Sequence, residues 1–197
     1  MGPIDICSNA LLMLGAKPIA SFDESAGDAN LDRARLCANL YPMVRLALLR
    51  SHPWNCAVTR VQLSPDATPP AFGWQNRFQL PSDWLRTLEV GDGARLNFRS
   101  EGRYILCNEA VFPLVYLRDV AEGDWDAMLV QAATLGMAVR LAYPITASST
   151  VEEARYTEFQ NFMKQARATD GQDDPPQTLG DFPLLASRYG AGLGSGG

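Results

Sequence analysis

The only histidine of the chain, His52, stands four positions before a cysteine, Cys56, in the run RSHPWNCA. A thiol and an imidazole are the parts of a nucleophile and its base, provided that the imidazole reaches the thiol and a third group orients it. Pro53 lies between them, so the i,i+4 spacing is no longer one face of a helix. Cys56 also opens an alternating apolar run, the usual place for an inert thiol. The alternative role is structural: Pro53 stops a helix, Trp54 buries a large aromatic surface at a helix-to-sheet corner, and His52 sits where a helix C-terminus favours positive charge. We therefore expect Pro53 and Trp54 to form a fold corner, and expect no catalytic residue here.

Other constellations lead no further. The four cysteines, Cys7, Cys37, Cys56 and Cys107, contain no CxxC pair, and a single histidine does not complete a metal set. They read as reduced, mostly buried thiols of a cytosolic protein. Carboxylate pairs occur at Asp23/Glu24, Glu152/Glu153 and Asp173/Asp174; a hydrolytic dyad forms only in the fold, and nothing in the spacing singles one out. GDGARLN lacks the GxxxxGK[ST] pattern of a phosphate loop. Phe72, Trp74 and Trp84 cluster around a proline-rich stretch; they suit a core or subunit contact better than a sugar or base platform. No metal and no cofactor is expected.

The elements that must position these residues follow from periodicity. Ile4, Cys7, Leu11 and Leu14 share a helical face over residues 4–15, closed by Gly15 and Pro18. A longer helix is predicted over 28–51, with Leu31, Ala34, Ala38, Tyr41, Val44 and Leu48 as its stripe. Pro42 inside it predicts a kink or a division into two shorter helices. Pro53 ends it, since the residue before a proline avoids the α region. NCAVTRVQL then alternates, with Ala57, Thr59, Val61 and Leu63 on one side. Further strands are predicted in NRFQLPSDW, in LRTLEVGDG and three times within residues 94–120, with turns near 100–102 and 108–109.

Helices return after Asp124, the expected N-cap, with Trp125, Met128, Leu129, Ala132, Leu135, Gly136 and Val139 facing one way. YPITASS predicts a break. TVEE predicts a capping box between Thr150 and Glu153, opening a last helix that runs to about residue 168. From Thr169 the chain turns rich in Gly, Pro and Asp yet holds an apolar patch, DFPLLASRY, which a purely solvating tail would not need. It reads as an arm that orders on a partner, the alternative being an arm that packs on its own domain.

The expected fold is thus α+β, mainly α: a four-helix core with a β-rich insertion between helices 2 and 3 and an extended C-terminal arm. The parts are residues 1–55, the N-terminal helical part; 56–120, the insertion; 121–168, the C-terminal helical part; and 169–197, the arm.

Composition bounds the function. The 197 residues suit one domain with an arm. The formal net charge is −5, and only Lys17 and Lys164 are lysines. Such a chain does not neutralise DNA phosphates, which requires clustered cations. Charged residues make up 20% against 47% hydrophobic, a thin polar shell that points to subunit contacts. No long uncharged apolar run is seen, so no membrane span is expected. The N-terminus lacks a secretory n-region and a myristoylation pattern.

Four stretches in order carry a resemblance: ICSNALLMLGAKPIASFDE at 6–24, YPMVRLALLRSHPWNCA at 41–57, FGWQNRFQLPSDWLRTLEV at 72–90, and GRYILCNEAVFPLVYLRDV followed by DWDAMLVQAATLGMAVRLAYPIT. Together they resemble the head-to-tail adaptor proteins of short-tailed phages and prophages, the tail tubular protein A-like family, over nearly all of residues 4–168. The family has no catalytic residues to carry over. The resemblance implies a structural virion protein at the head–tail junction, made in the bacterial host cytoplasm. It implies a twelve-membered homo-oligomeric ring under the portal protein that extends the DNA channel and docks the tail nozzle protein. DNA would pass without specific binding. The arm would reach the portal, and its apolar residues with one arginine, Phe182, Leu184, Leu185, Arg188 and Tyr189, are the portal-binding set. The nearest rival is a head-completion or tail-terminator connector of a long-tailed phage. From other classes come a hydrolase with an unrecognised site and a monomeric binding module using the Trp-rich loop.

Overall fold

The computed structural model describes residues 1–23, 28–91 and 96–172, with the side chains of 28–31 left aside. Among the described residues the fold is α+β, about half of it helix, with four helices and two small antiparallel sheets inserted between the second and third. The helices are α1 (Pro3–Met13), α2 (Asp28–Ser51), α3 (Ala127–Thr146) and α4 (Ser149–Gln172). The strands are β1 (Val58–Leu63), β2 (Asn76–Gln79), β3 (Trp84–Val90), β4 (Phe98–Glu101), β5 (Tyr104–Cys107) and β6 (Phe112–Arg118).

α3 is the centre of the bundle and packs against α1, α2 and α4. Its small residues Ala132, Ala133, Gly136 and Ala138 are all buried, which lets neighbouring backbones approach. At Gly136 an added Cβ would stand 3.3 Å from Val44 and 3.5 Å from Phe159, one on each flanking helix. By length and composition alone α3 could cross a membrane, a departure from the expectation of no such run. Ten of its residues are buried against the other helices, and that burial accounts for its apolar character.

α1 buries Ile6, Cys7, Ala10 and Leu11, a face shifted slightly from the predicted stripe. The Ser8 hydroxyl donates to the carbonyl of Ile19 at 2.8 Å and ties the following loop back to it. α2 is one element through Pro42 and not two. Tyr41 and Arg45, on either side of the proline, are both anchored on Glu122, so tertiary contacts hold the helix across the missing backbone bond. Cys37 is buried in its stripe more fully than Ala38.

Four helix boundaries differ from expectation. Asp126 caps α3, accepting from the Leu129 amide at 2.6 Å, while Asp124 lies in a 3-10 turn. α3 continues through Pro144 and ends with Ala147 in the left-handed region; the carbonyl that the proline cannot bond belongs to Arg140, an exposed residue. Ser148, not Thr150, caps α4, accepting from the Val151 amide, because the helix starts one residue before Thr150. α4 also runs past the expected end at 168, to Gln172.

The first sheet has the order β1-β6-β3 and the second β2-β5-β4. β6 pairs with both neighbours, Val61 with Leu114 on one side and Thr87 with Tyr116 on the other. Alternation gives this sheet two faces. Leu117, Val58, Leu85 and Leu88 join the bundle core. Phe112, Leu114, Tyr116, Val61 and Leu63 meet Phe78 and Ile105 of the second sheet. The predicted single side for Ala57, Val61 and Leu63 therefore divides: Ala57 sits in a 3-10 turn ahead of the strand and packs into the bundle.

Candidate functional site

The corner after α2 is built from the helix end outward. The Leu48 carbonyl, left open at the C-terminus, accepts from the Ser51 hydroxyl at 2.8 Å and from Trp54 Nε1 at 3.0 Å. Trp54 is wholly buried, so this bond satisfies its one polar atom. Pro53 separates it from His52, whose ring stands edge-on to the indole at 4.8 Å between centroids.

His52 Nε2 lies 3.0 Å from Asp170 Oδ2, on the last turn of α4. The other carboxylate oxygen accepts from the Asn55 amide at 3.1 Å, and the Asn55 side chain donates to the Asp170 carbonyl at 2.6 Å. Asp170 is 5% exposed. A buried carboxylate is costly unless bonded on both oxygens, and here it is. The cluster clamps the end of α4 onto the corner between bundle and insertion.

Cys56 does not join it. Burial, reinforced by the nearby carboxylates of Asp126 and Asp170, pushes its thiol up to about 11. A nucleophilic cysteine needs the opposite shift, and the imidazole Nε2 that could serve it faces Asp170. Cys7 and Cys37 lie together in the bundle core; their mutual hydrogen bond and burial push the Cys7 thiol far up. Among the described residues no group of three His, Cys, Asp or Glu side chains is placed to hold a metal.

A second polar node joins α2 to the link between β6 and α3. Arg45 Nε donates to Glu122 at 2.7 Å, its Nη1 pairs with Asp119, and its Nη2 donates to the Val120 carbonyl at 2.7 Å. The Tyr41 hydroxyl donates to the same Glu122 oxygen at 2.8 Å. Burial alone would push the Glu122 carboxyl up, but the bonds from Tyr41 and Arg45 hold it below the usual carboxylate range. Burial and the Glu122 contact push the Tyr41 hydroxyl well up, so it remains a donor. Three polar partners on one guanidinium make a rigid joint.

Two surface hollows stand out among the described residues. On the insertion, Phe72 is 88% exposed beside Trp74 in the proline-rich loop. It borders a hollow of about 340 Å³ where Arg77 stacks on the Tyr104 ring at 4.7 Å. On the bundle, α2, α3 and α4 leave a groove of about 420 Å³. Leu12, Met43, Leu46, Tyr143 and Tyr156 also stand exposed on the helices.

Of the residues singled out from sequence, Pro53 and Trp54 stand at the corner just described. Phe182, Leu184, Leu185, Arg188 and Tyr189 lie outside the described residues. Asp170, Arg45 and Glu122 escaped the sequence reading. Asp170 stands in the polar run TDGQDD, and its partner His52 lies 118 positions away, so no local spacing joins them. No protein-family model matches the chain, and no curated protein sequence is significantly similar to it.

Proposed function

We propose that the chain is a structural adaptor of a short-tailed phage or prophage, which forms a ring beneath the portal, extends the DNA channel and receives the tail nozzle. The observation that carries the reading is the placement of the two sheets. A helical bundle encloses an insertion between its second and third helices, and the polar joints at Arg45 and Asp170 fix that insertion to the bundle. That is the order of elements the sequence resemblance implies. An assembly unit needs such a rigid frame between two docking ends.

The exposed aromatic loop of the insertion, with Phe72 and Trp74, offers a face to the tail protein or a neighbouring subunit. The exposed apolar residues of the helices suit subunit packing in a ring of twelve. The acidic balance suits a bore through which DNA slides without being held. Residues 181–189 are assigned to the portal, through Phe182, Leu184, Leu185, Arg188 and Tyr189. No catalytic step and no cofactor belong to this role.

The test is to mix the full chain with the portal ring of its own phage and measure mass and negative-stain images beside each component alone. A stoichiometric collar on the portal supports the reading, and truncation after Gln172 should then abolish it. A bare portal beside a folded chain overturns direct docking.

A further inference from the structure

The groove between α2, α3 and α4 has a floor and a rim of different character. Val44, Leu48, Phe159 and Met163 supply an apolar floor. Gly136 lies at its base, where a methyl group would meet Val44 and Phe159, so the depth of the groove depends on the absent side chain. At the rim stand two exposed arginines, Arg140 and Arg167, and one exposed carboxylate, Glu152. Neither is engaged by a carboxylate among the described residues. An apolar trough with unengaged cations at its edge selects an apolar segment preceded by acidic residues.

The chain carries such a segment next to the groove. Residues 173–181 contain Asp173, Asp174 and Asp181 and no lysine or arginine; FPLL follows directly. The segment starts where α4 ends, at Gln172, five positions beyond Arg167 on the same helix. Returning from Gln172 to Phe159 along α4 covers about 20 Å at the helical rise. Nine residues extend to about 30 Å, so the length suffices to lay Phe182, Leu184 and Leu185 on the floor with Asp173 and Asp174 near Arg167.

We infer that residues 181–189 dock into this groove of their own chain, with the aspartates that follow α4 paired to Arg167. The docked state belongs to the free chain and does not rest on the portal reading. A partner that takes the segment competes with the groove for it.

The experiment uses the full chain with Phe182 replaced by photoreactive p-benzoylphenylalanine, as an equal mixture of light and ¹⁵N-labelled protein. Irradiation followed by peptide mapping should give crosslinks from residue 182 to the peptides holding Phe159 and Met163, within one isotopic label. Crosslinks that join light to heavy chains overturn the assignment in favour of a second copy. Crosslinks that miss the groove, or none, overturn it outright. Tryptic cleavage after Arg188 provides a second readout with surface variants that retain the core. Undocking by Arg167→Glu, or by Leu184→Asp with Leu185→Asp, should speed that cleavage about tenfold, because cleavage follows the open population. Rates equal to the unaltered chain, with circular dichroism unchanged, overturn the proposal.

Discussion

The bundle and the insertion are held together in different ways. The bundle core gathers residues from both ends of the described chain, from Ile6 to Ala166, around α3. The insertion has its own small core of seven buried residues, all between Phe78 and Tyr116. The bundle therefore depends on contacts distant in sequence, and the insertion on close ones. The first sheet serves both, with one face on each core. Two cores sharing one sheet predict two cooperative units of unequal stability, joined through β6 and the corner at Trp54.

The sharpest break of that division is Trp54→Ala. It empties a wholly buried site in the bundle core and should cost about 3–5 kcal/mol, lowering the urea midpoint seen by every probe. A loss confined to the sheets would move the corner out of the bundle's unit. Phe78→Ala should cost about 3 kcal/mol but act locally. Amide exchange should quicken in β2, β4 and β5 while α3 keeps its protection; equal quickening in α3 would make the two cores one unit.

Asp170→Ala removes both carboxylate acceptors of the clamp and should cost about 2 kcal/mol, with exchange rising in the last turn of α4. Glu122→Gln should cost about 1 kcal/mol at neutral pH. The folded carboxyl titrates below its unfolded value of about 4.3, so its stabilisation is present above that pH and is lost as pH falls through the lower, folded value. The gap in melting temperature between the two proteins should accordingly close in acid. Smallest of all, Cys56→Ser should change stability by less than about 1 kcal/mol. Alkylation of Cys56 should accelerate about tenfold per pH unit toward pH 11, with its half-point near the elevated thiol value of about 11. Fast labelling at neutral pH would restore a reactive thiol to the corner.

Much of this architecture was legible beforehand because local rules govern it. The α2 boundaries, the strand runs and the insertion between helices follow from periodicity, from Pro53 and from glycine turns. Of the two readings of Pro42, the single helix over 28–51 holds, with Tyr41 and Arg45 pinned to Glu122 on either side of the proline. What failed did so where tertiary contacts outweigh local signals. Thr150 yields to Ser148 and Asp124 to Asp126, since any of several nearby oxygens can cap a helix and packing fixes its start. The clamp was invisible for a different reason: Asp170 has no periodic neighbour that marks it as buried, and it acquires its role only when α4 returns to the corner. The apolar–acidic character of residues 173–189 was legible, but the groove facing α4 was not, because it forms between three helices far apart in sequence.

The clamp at His52, Asn55 and Asp170 also sets where the rest of the chain begins. A helix end that frays lets its last residue wander; one tied to a corner holds it at a fixed point. With α4 moored at its last turn, Gln172 is held in place relative to the bundle and the insertion alike. Loosening the mooring would blur that point without altering a single residue beyond it.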